Sequence, residues 1–413
     1  MRKIKPVGIA GGSRSVKRLI FLTVIILAAF TVQAQDVELR EDHPREYVVK
    51  EGDTLWDIAG RFLTRPWQWP AIWDANPQVE NPHLIYPGDV ISLSFVDGEP
   101  RLTVDDSVRR LSPEIRREPV EGPISTIPLD AIETFLRNPR IVSAEAYEQL
   151  PYVIANNEQR VLSGPGDHTY VRGLDDVAVG EEVMLARVSH QFEDRSANPN
   201  NDKDLRVNRI QSRGGAVRSD MRPMSSFWRG TIGQIDRFNY PIIGYELWET
   251  ARARVVKTGD PTTLEILSGR KATMAGDRVL PIDNHVYDAT FHPRAMDSIP
   301  DDGRVIAIAN NRYGAGHYQI VAINKGTADG VQSGHMFSAF RPGERIRDER
   351  NYPLMSRAAF REPEKRYVDL PDEFAGRIMV FRPFERVSYA IVLEGSANTI
   401  KVDDILAHPD RKL

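Results

Sequence analysis

The chain of 413 residues contains no cysteine. That absence removes disulfide frameworks, thiolate zinc sites and every enzyme built on a cysteine nucleophile. Histidine is scarce, with nine residues that form neither a His-x-His nor a His-x-x-x-His pair, so paired-histidine zinc peptidases are excluded as well. No Gly-x-Ser-x-Gly elbow occurs, which removes the usual serine-hydrolase signature. Long apolar runs are also rare. The longest, Leu19 to Phe30, has 12 residues, well short of the roughly 20 needed to span a bilayer as a helix.

That run has the setting of an export leader. Arg2, Lys3, Lys5, Arg14, Lys17 and Arg18 precede it, no acid occurs among the first 34 residues, and Val32-Gln33-Ala34 follows. A basic region, a short apolar core and small residues at the cut describe a cleavable signal peptide, with Gln35 as the expected new N-terminus. With those six cations removed, 54 Lys and Arg become 48 against 58 Asp and Glu, and the net charge moves from −4 to −10. A chain that acidic suits neither nucleic acid nor an anionic lipid surface. Hydrophobic residues at 41% and charged residues at 27% fit a folded protein. The expectation is an exported, periplasmic protein without a transmembrane segment after cleavage. Its length calls for two to four domains.

Residues 44–97 carry the clearest pattern. Tyr47-Val48-Val49 reads as a strand and Gly52-Asp53-Thr54 as a turn leading into a helix. Thr54 can cap that helix, and Leu55, Ile58, Ala59 and Phe62 share one face. Pro70 opens a second helix that Asn76-Pro77 ends, Tyr86-Pro87-Gly88-Asp89 is a turn, and Val90-Ile91-Ser92-Leu93 is a closing strand. This βααβ unit resembles the LysM domain, which binds N-acetylglucosamine-containing glycans, chiefly peptidoglycan. The resemblance implies a shallow groove between the first strand–helix loop and the second helix–strand loop. Carried onto this chain, the glycan-binding residues are Gly52, Asp53, Thr54 and Leu55, facing Asn76, Pro77, Ile85, Tyr86 and Pro87. Asp53 is either a ligand contact or a turn former. Trp67 and Trp69, in an inter-helix loop longer than the family's common form, either stack on sugar or complete a small core. Trp56, on the apolar side of the first helix, is expected in the core.

Residues 98–160 read as a linker with two short helices, Leu129–Leu136 and one capped by Ser143 that runs to Leu150. From residue 161 the chain turns to short β runs, and four segments repeat a strand, a glycine, a turn and a second strand. They begin at Tyr170, Leu264, Ile320 and Ile391, and glycine and turn lie seven, seven, eight and seven residues apart. Two tandem copies of a small barrel or sandwich are expected, 161–304 and 305–413, the first interrupted by a flexible insert at 191–238. In that insert Asn198, Asn200, Asp202 and Asp204 alternate like a calcium loop, but the glycine and the closing glutamate of such a loop are missing. No catalytic set, metal site or cofactor is expected. The fold class is α+β, and the function implied is non-catalytic peptidoglycan binding, with the β module a docking scaffold for an unidentified envelope protein. The alternative is a peptidoglycan hydrolase or an activator of one.

Overall fold

The structure is a computed structural model that describes residues 37–73, 85–96, 98–105, 126–193, 241–282, 291–309, 314–353, 363–395 and 399–411. The leader, Asn76-Pro77 and the insert around 194–240 lie outside the described residues.

The N-terminal unit is the expected βααβ, with one more strand. Strand β1 (Glu46–Val48) pairs antiparallel with β2 (Val90–Val96), and β2 pairs with β3 (Glu99–Asp105) in a hairpin. Between them stand helix α1 (Leu55–Phe62) and helix α2 (Trp69–Trp73). Leu55, Ile58, Ala59 and Phe62 all face inward against Trp69, Ile72, Trp73, Ile85, Ile91 and Leu102. Strand β3 corrects the reading of 98–160 as linker. Leu102 enters this core and Val104 packs beside it, so the unit extends to Asp105, and Val37 and Leu39 close its other side.

The remainder of the supposed linker is also absorbed. Helix α3 (Leu129–Arg137) and helix α4 (Ala144–Gln149), capped by the Ser143 hydroxyl, stand where expected. Between them, β4 (Arg140–Val142) pairs with a strand of the first β module.

Both β modules are closed six-stranded barrels. The first comprises β5 (Tyr152–Asn156), β6 (His168–Arg172), β7 (Glu182–Glu193), β8 (Ile242–Lys257), β9 (Thr262–Gly269) and β10 (Arg278–Pro281). Its pairings run β5–β6–β9–β8–β7–β10 and back to β5. After the short β11 (Arg294–Ala295), the second comprises β12 (Val305–Ile308), β13 (Ile320–Ile323), β14 (His335–Arg341), β17 (Glu373–Pro383), β18 (Ser388–Gly395) and β19 (Ile405–Ala407), with a two-stranded arm, β15 (Arg345–Arg347) and β16 (Tyr367–Asp369), between β14 and β17. Its pairings run β12–β13–β18–β17–β14–β19, and the bridge Arg304 to Ile405 closes the ring. Strand for strand the order is the same, as expected of a duplication.

One turn recurs through the whole chain. Its third residue has positive φ, and the side chain of its fourth accepts a hydrogen bond from the N–H of its first. Among the described residues the fourth positions are Asp53, Asp89, Asp167, Glu181, Asp277, Gln319, His335 and Asp404. Glycine occupies most third positions because φ > 0 carries no steric penalty there; Tyr318 and Asp403 are the exceptions. The turns also dock alike. Gly180 donates to Val255 O and Val255 donates back to Glu181 O, while Gly276 and Asp277 do the same with Val153. In the second barrel Tyr318 and Gln319 bind Val392, and Asp403 and Asp404 bind Val305.

The second barrel is apolar on both faces. Val321, Ile323, Phe337, Ile378, Val380 and Val392 fill its interior. Ile320, Ala322, Met336, Met379, Phe381, Tyr389 and Ile391 point outward into a second core, shared with Ile132 and Phe135 of α3, Phe192 and Ile243 of the first barrel, and Trp56 and Trp67 of the N-terminal unit. Such double burial explains the unbroken apolar runs at 320–323 and 389–393. Buried polar groups cross this seam: Arg382 donates to Phe135 O of α3, and the Glu246 carboxylate receives hydrogen bonds from Tyr389 (2.5 Å), from Ser189 and from Trp248 Nε1 (3.3 Å). At Gly244 a side chain would meet Ile141 Cγ2 at 2.9 Å, so the glycine lets β4 lie close against β8.

Candidate functional site

The two loops expected to flank the groove are two adjacent turns. In the first, Lys50 N donates to Asp53 Oδ2 (2.8 Å) and Asp53 N donates to Lys50 O (3.1 Å). In the second, Tyr86 N donates to Asp89 Oδ2 (2.9 Å) and Asp89 N to Tyr86 O (3.1 Å). They are held side by side through Val49, which accepts from Gly88 N (2.8 Å) and donates to Asp89 O (2.9 Å). Gly52 is exposed, and Asp53, Tyr86 and Pro87 are half-buried along the shared rim.

The nine residues carried over from the family pattern therefore divide. Gly52, Asp53, Tyr86 and Pro87 form the accessible rim. Leu55 and Ile85 are buried in the core beneath it. Thr54 is 4% exposed: it accepts from Asp57 N (3.2 Å), donates to Asp57 Oδ2 (2.7 Å), and its own N–H bonds Asp57 in return. That reciprocal capping box fixes the start of α1. Asn76 and Pro77 lie outside the described residues. Asp53 has a structural task, since its Oδ2 also accepts from Tyr47 OH (2.8 Å). Burial, with Asp53 second, raises the Tyr47 phenol above its ordinary range, which keeps it a donor. The two loop tryptophans are core residues: Trp67 is 4% and Trp69 2% exposed. Trp69 sits in the core of its own unit, and Trp67 lies under the Arg377 guanidinium, 4.3 Å from its ring.

Sequence reasoning missed the contact that the second barrel makes with the start of α1. Tyr318 OH donates to both oxygens of Asp57, at 2.8 and 3.0 Å. Its phenol is raised by burial and by the Asp57 carboxylate that accepts its proton. Trp56 N donates to Thr126 O (3.3 Å), so an orphan N–H of the first turn of α1 is satisfied from outside the unit. Trp56 is buried as expected, but in the core shared with α3 and the second barrel. Thr54 was legible as the cap of α1; its reciprocal partner Asp57, and Tyr318 261 positions beyond Asp57, were not.

Among the described residues no cluster of three or more acidic or histidine side chains is placed to hold a metal ion, and no helix is long and apolar enough to cross a membrane.

A stretch of 60 residues is 37% identical to the uncharacterized protein YqbP of Bacillus subtilis (strain 168), covering 12% of this chain and 27% of the relative. The chain thus matches about a quarter of that protein's length. The family model of the LysM domain matches residues 47–94, the segment holding both turns and both helices. LysM is a carbohydrate-binding domain rather than a catalytic one, and this chain carries a LysM domain near its N-terminus, ahead of a large β-rich region.

Proposed function

We propose that this chain is a non-catalytic binder of peptidoglycan in the periplasm, engaging glycan strands along the rim formed by Gly52, Asp53, Tyr86 and Pro87. The observation that carries this reading is the pair of turns docked on Val49 within the LysM segment. Backbone groups of such turns bond acetamido and hydroxyl groups, and the faces of Tyr86 and Pro87 cover sugar rings. The leader at residues 1–34 supports export. The twin barrels serve as a scaffold that docks an envelope protein.

Incubating the purified chain with labelled sacculi tests the reading. Co-sedimentation without soluble muropeptides is expected, and Tyr86→Ala weakens it. Steady release of muropeptides identifies a hydrolase and refutes the non-catalytic assignment; no co-sedimentation refutes the glycan assignment.

A further inference from the structure

A cleft of about 410 Å³ opens on the second barrel, lined by Ala315, Gly316, His317, Leu393, Glu394 and Thr399. Its volume lies within the roughly 300–1,000 Å³ typical of small-molecule sites. Both walls lead to the LysM domain. On one side the exposed His317 ring stacks on Tyr318, with centroids 3.6 Å apart, and Tyr318 holds Asp57 in the capping box of α1. On the other, Glu394 is ion-paired with Arg377, which lies over the Trp67 ring. The cleft therefore belongs to the second barrel, and two of its lining residues touch side chains that reach the LysM domain. One ring stack and one hydrogen bond separate its wall from the cap that follows the Gly52-Asp53 turn.

The chemistry of the lining selects among ligands. Ala315 and Leu393 lie buried beneath the cleft, and its accessible lining offers an imidazole face, the methyl and hydroxyl of Thr399, a carboxylate and glycine backbone. Glu394 has its counter-ion in Arg377, so its carboxylate is not a free anionic site for a cation. An exposed imidazole face beside a carboxylate and a hydroxyl suits a neutral, hydroxyl-rich ring, with carboxylate and hydroxyl bonding sugar hydroxyls and the imidazole covering a C–H face.

We propose that this cleft is a second saccharide subsite, and that a glycan strand leaving the LysM rim continues across the seam onto His317, Glu394 and Thr399. The proposal rests on the glycan reading above and adds an affinity that grows with strand length. A strand spanning two adjoining subsites engages the second at high effective concentration.

Calorimetric titration of the full chain with chitotriose and with chitohexaose tests it. The parent binds chitohexaose at least tenfold more tightly than chitotriose. His317→Ala and, independently, Thr399→Trp at the exposed rim lower chitohexaose affinity about fivefold or more. Both leave chitotriose affinity unchanged. If the parent binds both sugars and neither variant alters the chitohexaose value, the strand ends at the LysM domain and only this proposal falls. If the parent binds neither sugar, the LysM rim reading fails and takes the subsite with it. A loss seen only with muropeptides that carry a stem peptide assigns the cleft to the peptide and overturns the saccharide subsite.

Discussion

Replacing Asp404 by asparagine should change how stability depends on pH. Asp404 is 2% exposed at the fourth position of the turn before β19. Burial is the dominant influence on its carboxyl, ahead of the Lys401 N–H at 2.7 Å and of Arg341, whose Nε stands 3.7 Å away, and the pKa is pushed from 3.8 up to about 6. The folded state then holds the proton more tightly than the unfolded chain. This contribution to stability is complete below about pH 4 and is lost as pH rises through 6. At 1.36 kcal/mol per unit, a rise of about two units means a loss of roughly 3 kcal/mol at most across that window. Asparagine keeps an oxygen to accept from Lys401 N and does not ionise. Relative to the parent, Asp404→Asn should therefore gain about 1–3 kcal/mol on going from pH 4.5 to pH 7.5. Scanning calorimetry reads this as a relative rise of order 10 °C in the second barrel's transition, since 1 kcal/mol moves a domain near 100 residues by about 4–8 °C. A Tm difference between variant and parent that is the same at both pH values would refute the reasoning. So would one that narrows as pH rises.

The equivalent acid of the first barrel, Asp277, is also raised by burial, but Arg187 grips it with two bonds of 2.6 and 2.8 Å. Arg187→Leu should cost about 3–5 kcal/mol in urea unfolding, because it strands a buried carboxylate; equal loss in the Asp277→Asn background would contradict the pairing. Thr54→Ala should lower stability by about 1 kcal/mol through the lost cap and leave glycan affinity within about twofold. Tyr86→Ala should leave the fold intact and weaken pull-down about tenfold, worth roughly 1.4 kcal/mol. Equal affinity in Tyr86→Ala and parent would move the binding surface off this rim. Trp56→Ala should cost about 3–5 kcal/mol, expressed as separation of the LysM domain from the barrels. Limited proteolysis between residues 105 and 126 should accelerate while the LysM core stays protected, and uniform digestion of both parts would show that the seam is not where Trp56 acts.

Local chemistry accounts for the parts that were readable in the amino-acid sequence. The βααβ unit shows in the 3.6-residue spacing of Leu55, Ile58 and Phe62 and in Thr54 and Gly52-Asp53, each of which acts within a few residues of itself. The helices after Leu129 and Ser143 were readable for the same reason. The duplication was legible because each copy needs a residue with φ > 0 just before a strand, and glycine marks most of those points. Strand β3 was hidden by Gly98 and Pro100, which look like linker residues until Leu102 is seen in the LysM core. Other features depend on residues far apart in the chain, and only the tertiary structure decided them. Closure of each barrel pairs strands out of chain order. Trp67 could stack on sugar or fill a core until Arg377, 310 positions away, was placed over it. Asp277 and Asp404 follow equivalent turns, yet one is gripped by an arginine and the other left 3.7 Å from its own. Tyr318 reaches the cap of α1 because the barrel's outer face is as apolar as its interior and must be covered. Hydrophobic burial is non-directional, so the pattern reveals that such a face needs a partner but not which element will supply it.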